Sequence, residues 1–306
     1  MFAGFDTMTL ASTKNTIQFT YSTPSHTLPQ RSVIKTIEAL GGQRRLKGLY
    51  EQFLGENSEQ PDFFQAAVDL LKLDIRADKE PLAKIPNDGP VLFIANHPYG
   101  VLDGIVLTWL ARKARADVKV MANHVLCQAP DAKGALLPID FSGTKDALRT
   151  NLSTRKEALQ TLQEGGSIGI FPAGGVSVSE KPHKGPAVDT SWHPFAAKLI
   201  RKTNPTVIPV YFGGQNSRLF QIASHYSATL RLALFFYETA RRIGSEMEFV
   251  VGEPITPQEL SNLSDRDGLM RTLRMRTYCL ASNLKTPKTG HPQYDREFSF
   301  PSRMKF

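Results

Sequence analysis

The chain is poor in cysteine. Its 306 residues include two cysteines, Cys127 and Cys279, which lie far apart and form no CxxC pair. This spacing indicates neither a disulfide framework nor a zinc site. The sequence therefore predicts two reduced thiols, as is usual for a protein of the cytosol.

Long apolar runs are also missing. No stretch reaches the roughly 20 apolar residues that a helix needs to cross a bilayer. Residues 1–29 contain scattered serine and threonine, little periodicity, and no uninterrupted apolar core of signal-peptide length. We therefore expect residues 1–29 to be largely disordered or loosely docked, and any membrane contact to be peripheral.

Acidic residues are outnumbered, because 37 lysines and arginines against 29 aspartates and glutamates leave a formal charge of +8. A basic chain favours an acidic partner: an anionic membrane surface, an acidic carrier protein or nucleic acid. Nucleic acid is the weakest of these, because no zinc-finger, RNP-type or basic-zipper pattern accompanies the charge. A GxSxG motif is absent too, which argues against a serine-type lipid hydrolase.

A histidine and an aspartate stand at a predicted strand-to-helix junction. Val91–Ala95 is a short apolar run after an Asn-Asp-Gly-Pro turn, which suits a strand buried on both faces of a parallel sheet. Such a strand delivers His97 to the carboxyl edge of the sheet, where ligands bind in open α/β folds. Helical spacing of the next apolar residues places Asp103 in the first turn of a helix, from which it can fold back toward the imidazole.

This pattern has an ordinary explanation as well as a catalytic one. His-Pro in a turn can be simple punctuation, and aspartate at a helix start is a common capping residue. Spacing alone does not make His97 and Asp103 catalytic. A second feature of the sequence is needed to decide between the two interpretations.

That feature is SIGIFPAGGVS at residues 167–177, another strand-like run that ends in a turn rich in proline and glycine. Gly174 and Gly175 let the backbone approach a ligand closely, and they can direct successive amide N–H groups at an anion. The turn is therefore a candidate for binding the oxygen of an acyl-transfer intermediate.

Together the two segments resemble the glycerolipid acyltransferase superfamily, whose usual signature is Asn-His, four residues and Asp, then Phe-Pro-Glu-Gly-Thr-Arg. Here five residues separate His97 from Asp103, and the second block reads FPAGG at residues 171–175. Both departures resemble a bacterial branch of hemolysin-like proteins and ornithine-lipid acyltransferases, in which HPxGxxDG and FPAG are usual. The run VIPVYFGGQNSRLF at residues 207–220 resembles that branch's third block. The resemblance covers about residues 62–255.

The resemblance implies an enzyme that moves a fatty acyl group from an acyl thioester to the hydroxyl of a lysolipid. His97 would be the general base, since imidazole has a pKa suited to that work. Asp103 would fix the imidazole tautomer and stabilise the imidazolium. Acyl-carrier protein or coenzyme A would carry the acyl group as co-substrate, and neither a cofactor nor a metal is expected. The residues expected to bind substrate are Asn96, Phe171, Pro172, Ala173, Gly174, Gly175, Ser177 and Arg218.

The second block also bears on the acceptor. Phosphate-accepting relatives bind glycerol phosphate with the Glu and Arg of this block, whereas this chain has Ala173 and, three residues later, Val176. A bidentate arginine would be the natural phosphate partner. Arg218 is a candidate replacement. We therefore expect a lyso-ornithine lipid or a related aminolipid as the acceptor, with lysophospholipid as the near alternative.

The order of predicted elements indicates an α/β fold with a mixed, mostly parallel central sheet flanked by helices, preceded by an N-terminal helical pair. We expect the acyltransferase domain at residues 30–285 and a tail at residues 286–306. Within the domain, helices occupy residues 30–75, the catalytic core residues 85–256, and a C-terminal helix residues 265–284. Residues 146–164 are expected to form a helix, residues 176–193 a long loop, and residues 206–212 a strand.

Expected partners follow from the lipid substrate. The helical pair, expected at residues 32–40 and 44–54, carries a basic cluster that can rest on anionic headgroups, although a solvated helix face is as plausible. The cluster consists of Arg31, Lys35, Arg44, Arg45 and Lys47. We expect a cytoplasmic protein, peripherally associated with the cytoplasmic face of the inner membrane. A catalytically silent lipid-binding or scaffolding protein with the same fold is the alternative function.

Overall fold

The structure, a computed structural model, describes residues 20–23, 26–56, 62–77, 80–261, 263 and 265–284. Its strands are β1 (Asp74–Ala77), β2 (Val91–Ala95), β3 (Lys119–Asn123), β4 (Leu136–Ile139), β5 (Ser167–Ile170), β6 (Val178–Lys181), β7 (Lys184–Val188), β8 (Thr206–Phe212) and β9 (Glu246–Val251). Its α-helices are α1 (Leu28–Leu40), α2 (Gln43–Glu56), α3 (Phe63–Leu70), α4 (Val101–Ala114), α5 (Lys145–Gln163), α6 (Phe195–Thr203), α7 (Arg218–Tyr226), α8 (Ala228–Ala233), α9 (Phe235–Arg241), α10 (Pro257–Ser261) and α11 (Arg266–Cys279).

Seven of these strands form the central sheet, in the order β1-β9-β8-β2-β5-β3-β4. The five strands from β8 to β4 are parallel, β9 runs antiparallel to β8, and β1 is parallel to β9. Helices cover the sheet, so the expected mixed, mostly parallel α/β architecture is confirmed. The carboxyl ends of five neighbouring strands therefore share one edge.

Strand β2 lies near the middle of the sheet and is buried along its whole length. Val91 and Phe93 pack into the core on one side, while Leu92 and Ile94 pack into the core on the other. This two-sided burial explains why the segment reads as an unbroken apolar run and not as an alternating one. The strand therefore holds its carboxyl end rigidly.

Several predicted elements are present at close to their predicted bounds. Strand β8 spans residues 206–212 as predicted, and the helix predicted at residues 146–164 is α5. The N-terminal helical pair is also present, although α1 begins at Leu28, four residues before its predicted start. Thr27 caps α1 by accepting from the main chain of Gln30, and Pro29 occupies the first turn, where its missing N–H has no cost.

Two segments differ from their predictions. The N-terminal helices were expected to occupy residues 30–75, but α3 ends at Leu70, because Lys72 adopts a left-handed conformation and the chain turns into β1. The long loop predicted at residues 176–193 contains an antiparallel hairpin of β6 and β7. Its few apolar residues gave no alternating pattern, so the sequence alone did not indicate strands.

The N-terminal segment is docked where the structure describes it. Tyr21 is buried, with its ring centroid 5.3 Å from those of both Phe235 and Phe236. The Tyr21 main-chain N–H and the Thr20 hydroxyl each donate to Glu38, at 2.7 Å. Residues 1–19 and 285–306, and with them most of the segments expected to be disordered or poorly ordered, lie outside the described residues. Within the described ranges, no helix is both long and apolar enough to cross a membrane.

Candidate active site

The junction between β2 and α4 places His97 and Asp103 side by side. His97 follows β2 at the carboxyl edge of the sheet, and Asp103 lies in the first turn of α4. The His97 Nδ1 and Asp103 Oδ2 atoms are 3.0 Å apart, with the imidazole 17% exposed and the carboxylate fully buried. The structure thus brings together the two residues that the sequence singled out. Their catalytic roles stay predictions.

The Asp103 carboxylate also folds the turn that precedes it. Its Oδ2 atom accepts the main-chain N–H groups of Tyr99 at 2.7 Å and Gly100 at 2.9 Å. Gly100 has φ +89°, and a Cβ there would lie 3.0 Å from the Phe235 ring. Glycine is therefore required at this position. The same carboxylate oxygen therefore holds the turn and lies 3.0 Å from the imidazole Nδ1 atom.

The face of the imidazole rests on the second sequence block. The ring of His97 stacks on that of Phe171, with centroids 4.0 Å apart and planes inclined by 26°. Phe171 follows β5, which is the hydrogen-bonded neighbour of β2. With Nδ1 directed at Asp103, Nε2 is the ring nitrogen left to meet a substrate.

The glycine turn offers donors for an oxyanion. The Gly174 N–H donates to the Phe171 carbonyl at 3.1 Å and closes the turn, so it is not a candidate. The N–H groups of Gly175 and Val176 have no acceptor among the residues that the structure describes. Pro172 and Ala173 are buried within the turn. Gly175 thus stays an expected oxyanion donor, and Val176 takes the place of Gly174.

Ser177 supports His97 and does not face a ligand. Its main-chain N–H donates to the His97 carbonyl at 2.8 Å, and its hydroxyl donates to Asp189 Oδ1 at 2.5 Å. Asp189 Oδ1 also accepts the His97 main-chain N–H at 3.1 Å, and Oδ2 accepts the Trp192 indole N–H at 2.9 Å. Ser177, which we expected to bind substrate, is therefore a positioning residue.

Asp189 is a residue that the sequence analysis did not select. Burial raises the pKa of this carboxyl, while its hydrogen bonds with Ser177, Trp192 and His97 act in the opposite direction. The guanidinium of Arg274 in α11 donates to the Asp189 carbonyl at 3.0 Å. This arginine is buried, so it adds no positive charge to the exposed surface of α11. An aspartate closely followed by a tryptophan was the available signal, and it is a weak one.

Replacing Asp189 by alanine removes the Oδ1 atom that accepts the His97 main-chain N–H. This change is expected to lower kcat on the order of 10- to 100-fold with little change in the acceptor KM, because displacement of a reacting group by about 1 Å has effects of that size. Steady-state kinetics over a range of acceptor concentrations measure both constants. Trp192→Phe is the matched control, since it removes the bond to Asp189 Oδ2 and leaves Oδ1 in place. Equal losses of kcat in the two variants would contradict the positioning role of Oδ1.

Asn96 joins the ends of two neighbouring strands. Its side-chain nitrogen donates to the Phe212 carbonyl at 2.9 Å, and its oxygen accepts the Phe212 N–H at 2.7 Å. Both polar atoms therefore connect the ends of β2 and β8, and the side chain is buried. We expected Asn96 to bind substrate, and the structure assigns it to fixing the strand ends beside His97.

Arg218 also differs from its expected place. Its guanidinium donates to the Gly185 carbonyl in the β6–β7 hairpin at 2.8 Å and is otherwise exposed. The cation that reaches the glycine turn is Arg231 of α8, which donates to the Val176 carbonyl at 2.8 Å. Burial lowers the pKa of Arg231 to about 10. No motif marks Arg231 in the sequence, so its place could not be predicted.

A second histidine lies along the same edge of the sheet. The His124 Nδ1 atom at the end of β3 is 4.0 Å from Asp140 Oδ1, just beyond the end of β4. The two residues lie near each other because β3 and β4 are neighbours in the sheet. Asp140 Oδ1 also accepts the Ser142 N–H, which makes this a turn residue as well.

Comparison with known proteins finds a match to the segment that contains this site. Residues 76–213 match the family model described as Acyltransferase. Over these residues the chain is similar to the acyltransferase family. The matched segment contains both the His97–Asp103 junction and the glycine turn. Among the described residues, no group of three or more His, Cys, Asp or Glu side chains could hold a metal ion.

Two relatives are named lyso-glycine lipid O-acyltransferase. The protein of Bacteroides thetaiotaomicron is 28% identical over 172 residues, which are 55% of this chain and 59% of the relative. The protein of Phocaeicola vulgatus is 26% identical over 167 residues, which are 54% of this chain and 56% of the relative. The matched part of the chain thus spans less than two thirds of either relative.

A solved structure also resembles the acyltransferase domain and its surroundings. It is the 1-acyl-sn-glycerophosphate acyltransferase PlsC from Thermotoga maritima, with 17% sequence identity and a TM-score of 0.44. The superposition covers 84% of this chain and 82% of that one.

Proposed function

We propose that the protein is a lysolipid O-acyltransferase, which moves an acyl group from a thioester to the hydroxyl of a single-chain lipid. The observation that carries this proposal is the 3.0 Å contact between His97 and Asp103 at the carboxyl edge of the sheet. It lies within the segment that matches the acyltransferase family model. The proposed catalytic unit is residues 30–285.

In the proposed reaction, each group at the junction has its own role. His97 Nε2 takes the proton of the acceptor hydroxyl while the hydroxyl oxygen attacks the thioester carbonyl. The N–H groups of Gly175 and Val176 donate to the oxyanion of the tetrahedral intermediate, and a single donor of this kind is typically worth about 10²–10³ in rate. As the carbon–sulfur bond breaks, the imidazolium returns its proton to the thiolate. Asp103 stabilises the imidazolium throughout.

The acceptor we propose is a lysolipid with an amino-acid headgroup, such as a lyso-glycine or lyso-ornithine lipid. Both relatives carry the name lyso-glycine lipid O-acyltransferase. The glycine turn also lacks the arginine that would hold a phosphate bidentately, since Ala173 and Val176 occupy the relevant positions. Lysophospholipid is the alternative acceptor within the same reaction class.

Acyl-carrier protein or coenzyme A supplies the acyl group in this proposal, and no other cofactor takes part. Both donors are polyanionic, which suits a formal charge of +8. The acceptor is a membrane lipid, so we also propose peripheral binding at the cytoplasmic face of the inner membrane. Nucleic acid has no part in this function.

A panel of purified substrates tests the proposal. Acyl-carrier and acyl-CoA donors are incubated with lyso-glycine lipid, lyso-ornithine lipid and lysophosphatidate, and the products are read by mass spectrometry. We expect an acylated product whose mass exceeds that of the lysolipid by one acyl group, together with the free thiol. Release of thiol with every donor but no acylated lipid would instead indicate a thioesterase. No thiol release from any pair would favour the catalytically silent lipid-binding protein.

A further inference from the structure

A hairpin and a helix at one end of the site share an exposed surface that combines positive charge with apolar side chains. We call it the hairpin surface, and it consists of the β6–β7 hairpin and the outer face of α7. The hairpin contributes the exposed Lys181 and Lys184, with Glu180 as its exposed acid. Arg218 at the start of α7 bonds the hairpin at Gly185 and adds a third cation.

The apolar part of the hairpin surface lies on a single face of α7. Leu219, Ile222 and Tyr226 are 52%, 40% and 75% exposed, and their spacing of three and four residues aligns them along the helix. The opposite face of α7, with Phe220 and Ala223, packs into the core. The buried inner face already holds α7 in place, so the fold does not require large apolar side chains on its outer face. A cluster of three such exposed side chains indicates an interaction surface.

The hairpin is joined at both ends to the residues that hold His97. Strand β6 begins directly after Ser177, whose N–H bonds the His97 carbonyl at 2.8 Å. Strand β7 ends directly before Asp189, whose carboxylate bonds the His97 N–H at 3.1 Å. Whatever binds the hairpin surface is therefore connected through one residue on each side to the catalytic junction.

We infer that the hairpin surface docks onto an anionic lipid bilayer and sets the active site against it. Lysine and arginine beside exposed leucine, isoleucine and tyrosine match a layer of negative headgroups over acyl chains. The surface is distinct from the basic cluster of α1 and α2 that the sequence suggested. The inference rests on the proposed function in one respect, because a lipid acceptor is what makes the bilayer the place of reaction.

Vesicle binding tests the docking surface without any acyl transfer. Full-length protein is sedimented with phosphatidylcholine vesicles that contain or lack phosphatidylglycerol, at low and high salt. One lysine near an anionic leaflet increases the vesicle partition coefficient of a protein about fivefold. The double variant Lys181→Glu with Lys184→Glu removes two lysines, so it is expected to lower the vesicle partition coefficient on the order of 30-fold or more. Leu219→Ser with Ile222→Ser is expected to lower partition at high salt too, where charge is screened over roughly 8 Å or less.

The chain offers matched controls on helix α5, whose outer face also carries lysine and leucine. Lys145→Glu with Lys156→Glu makes the same change of charge, and Leu148→Ser with Leu152→Ser removes leucines that are 61% and 55% exposed. These controls change the net charge of the protein, which has a small effect on vesicle binding because salt screens it. Apart from that effect, they are expected to change the partition coefficient less than threefold. Equal losses in hairpin and α5 variants would overturn the inference, as would wild-type partition by the hairpin variants.

An activity measurement separates the membrane from an acidic carrier protein as the occupant. With acceptor presented in anionic vesicles, the hairpin variants are expected to lose about as much rate as binding, and in neutral detergent micelles they are expected to match wild type. A raised KM for acyl-carrier protein with unchanged vesicle binding would assign the surface to the carrier and overturn the membrane inference. Vesicle binding without transfer in any assay would reject the proposed function and leave the docking surface standing.

Discussion

Replacing His97 by glutamine is expected to lower acyl transfer by at least about 10³-fold, because general-base catalysis alone contributes about 10²–10⁴. Glutamine keeps a polar side chain beside Asp103 but cannot accept and return a proton near neutral pH. Single-turnover measurements with acyl thioester and lysolipid report the loss in the chemical step. Thermal unfolding should be nearly unchanged, since the described contacts of the imidazole are its stack on Phe171 and its approach to Asp103.

His124→Gln is the control for this experiment. His124 also follows a parallel strand of the same sheet, and it also lies near a carboxylate, Asp140, although at 4.0 Å and in a turn. We expect less than threefold loss in this variant. Activity of His97→Gln equal to that of wild type would reject the base assignment. A large loss in both variants would show that the acceptor reaches along the sheet edge to β3.

The centre of the fold could be predicted because its strands are buried on both faces. Such strands leave continuous apolar runs, and β2 and β8 were found at their predicted residues. The junction of His97 and Asp103 followed from local rules, since the strand end, the turn and the first helical turn lie within a few residues of each other. Those parts of the site needed no knowledge of distant segments.

The parts that were missed depend on contacts between distant residues. Asp189 bonds the main chain of His97 across 92 positions, and Arg231 bonds Val176 across 55. No spacing rule links such pairs, because the turns and helices between them set the approach. The side chains of Asn96 and Ser177 bond protein groups in the folded chain, and local patterns do not indicate these partners. Their binding of substrate stays a prediction. Local patterns locate the catalytic junction and leave its supports to the tertiary structure.

Replacing Asp103 by asparagine is expected to lower kcat by several orders of magnitude and leave the fold in place. The amide oxygen can occupy the position of Oδ2 and still accept from Tyr99 and Gly100, which bond it at 2.7 and 2.9 Å. What is lost is the negative charge that stabilises the imidazolium and selects its tautomer. In a Ser-His-Asp triad the same substitution lowers kcat about 10⁴-fold.

The cost to stability can be stated separately. In the folded protein Asp103 Oδ1 is buried without a hydrogen-bond partner among the described residues, so an amide nitrogen there would be an unsatisfied donor. That costs about 1–3 kcal/mol of unfolding free energy, which denaturant titration measures alongside the kinetics. Asp140→Asn is the control, because its carboxylate is 22% exposed and lies farther from a histidine, at 4.0 Å. A loss of kcat under about threefold in Asp103→Asn, with the expected loss of stability, would reduce Asp103 to a helix cap.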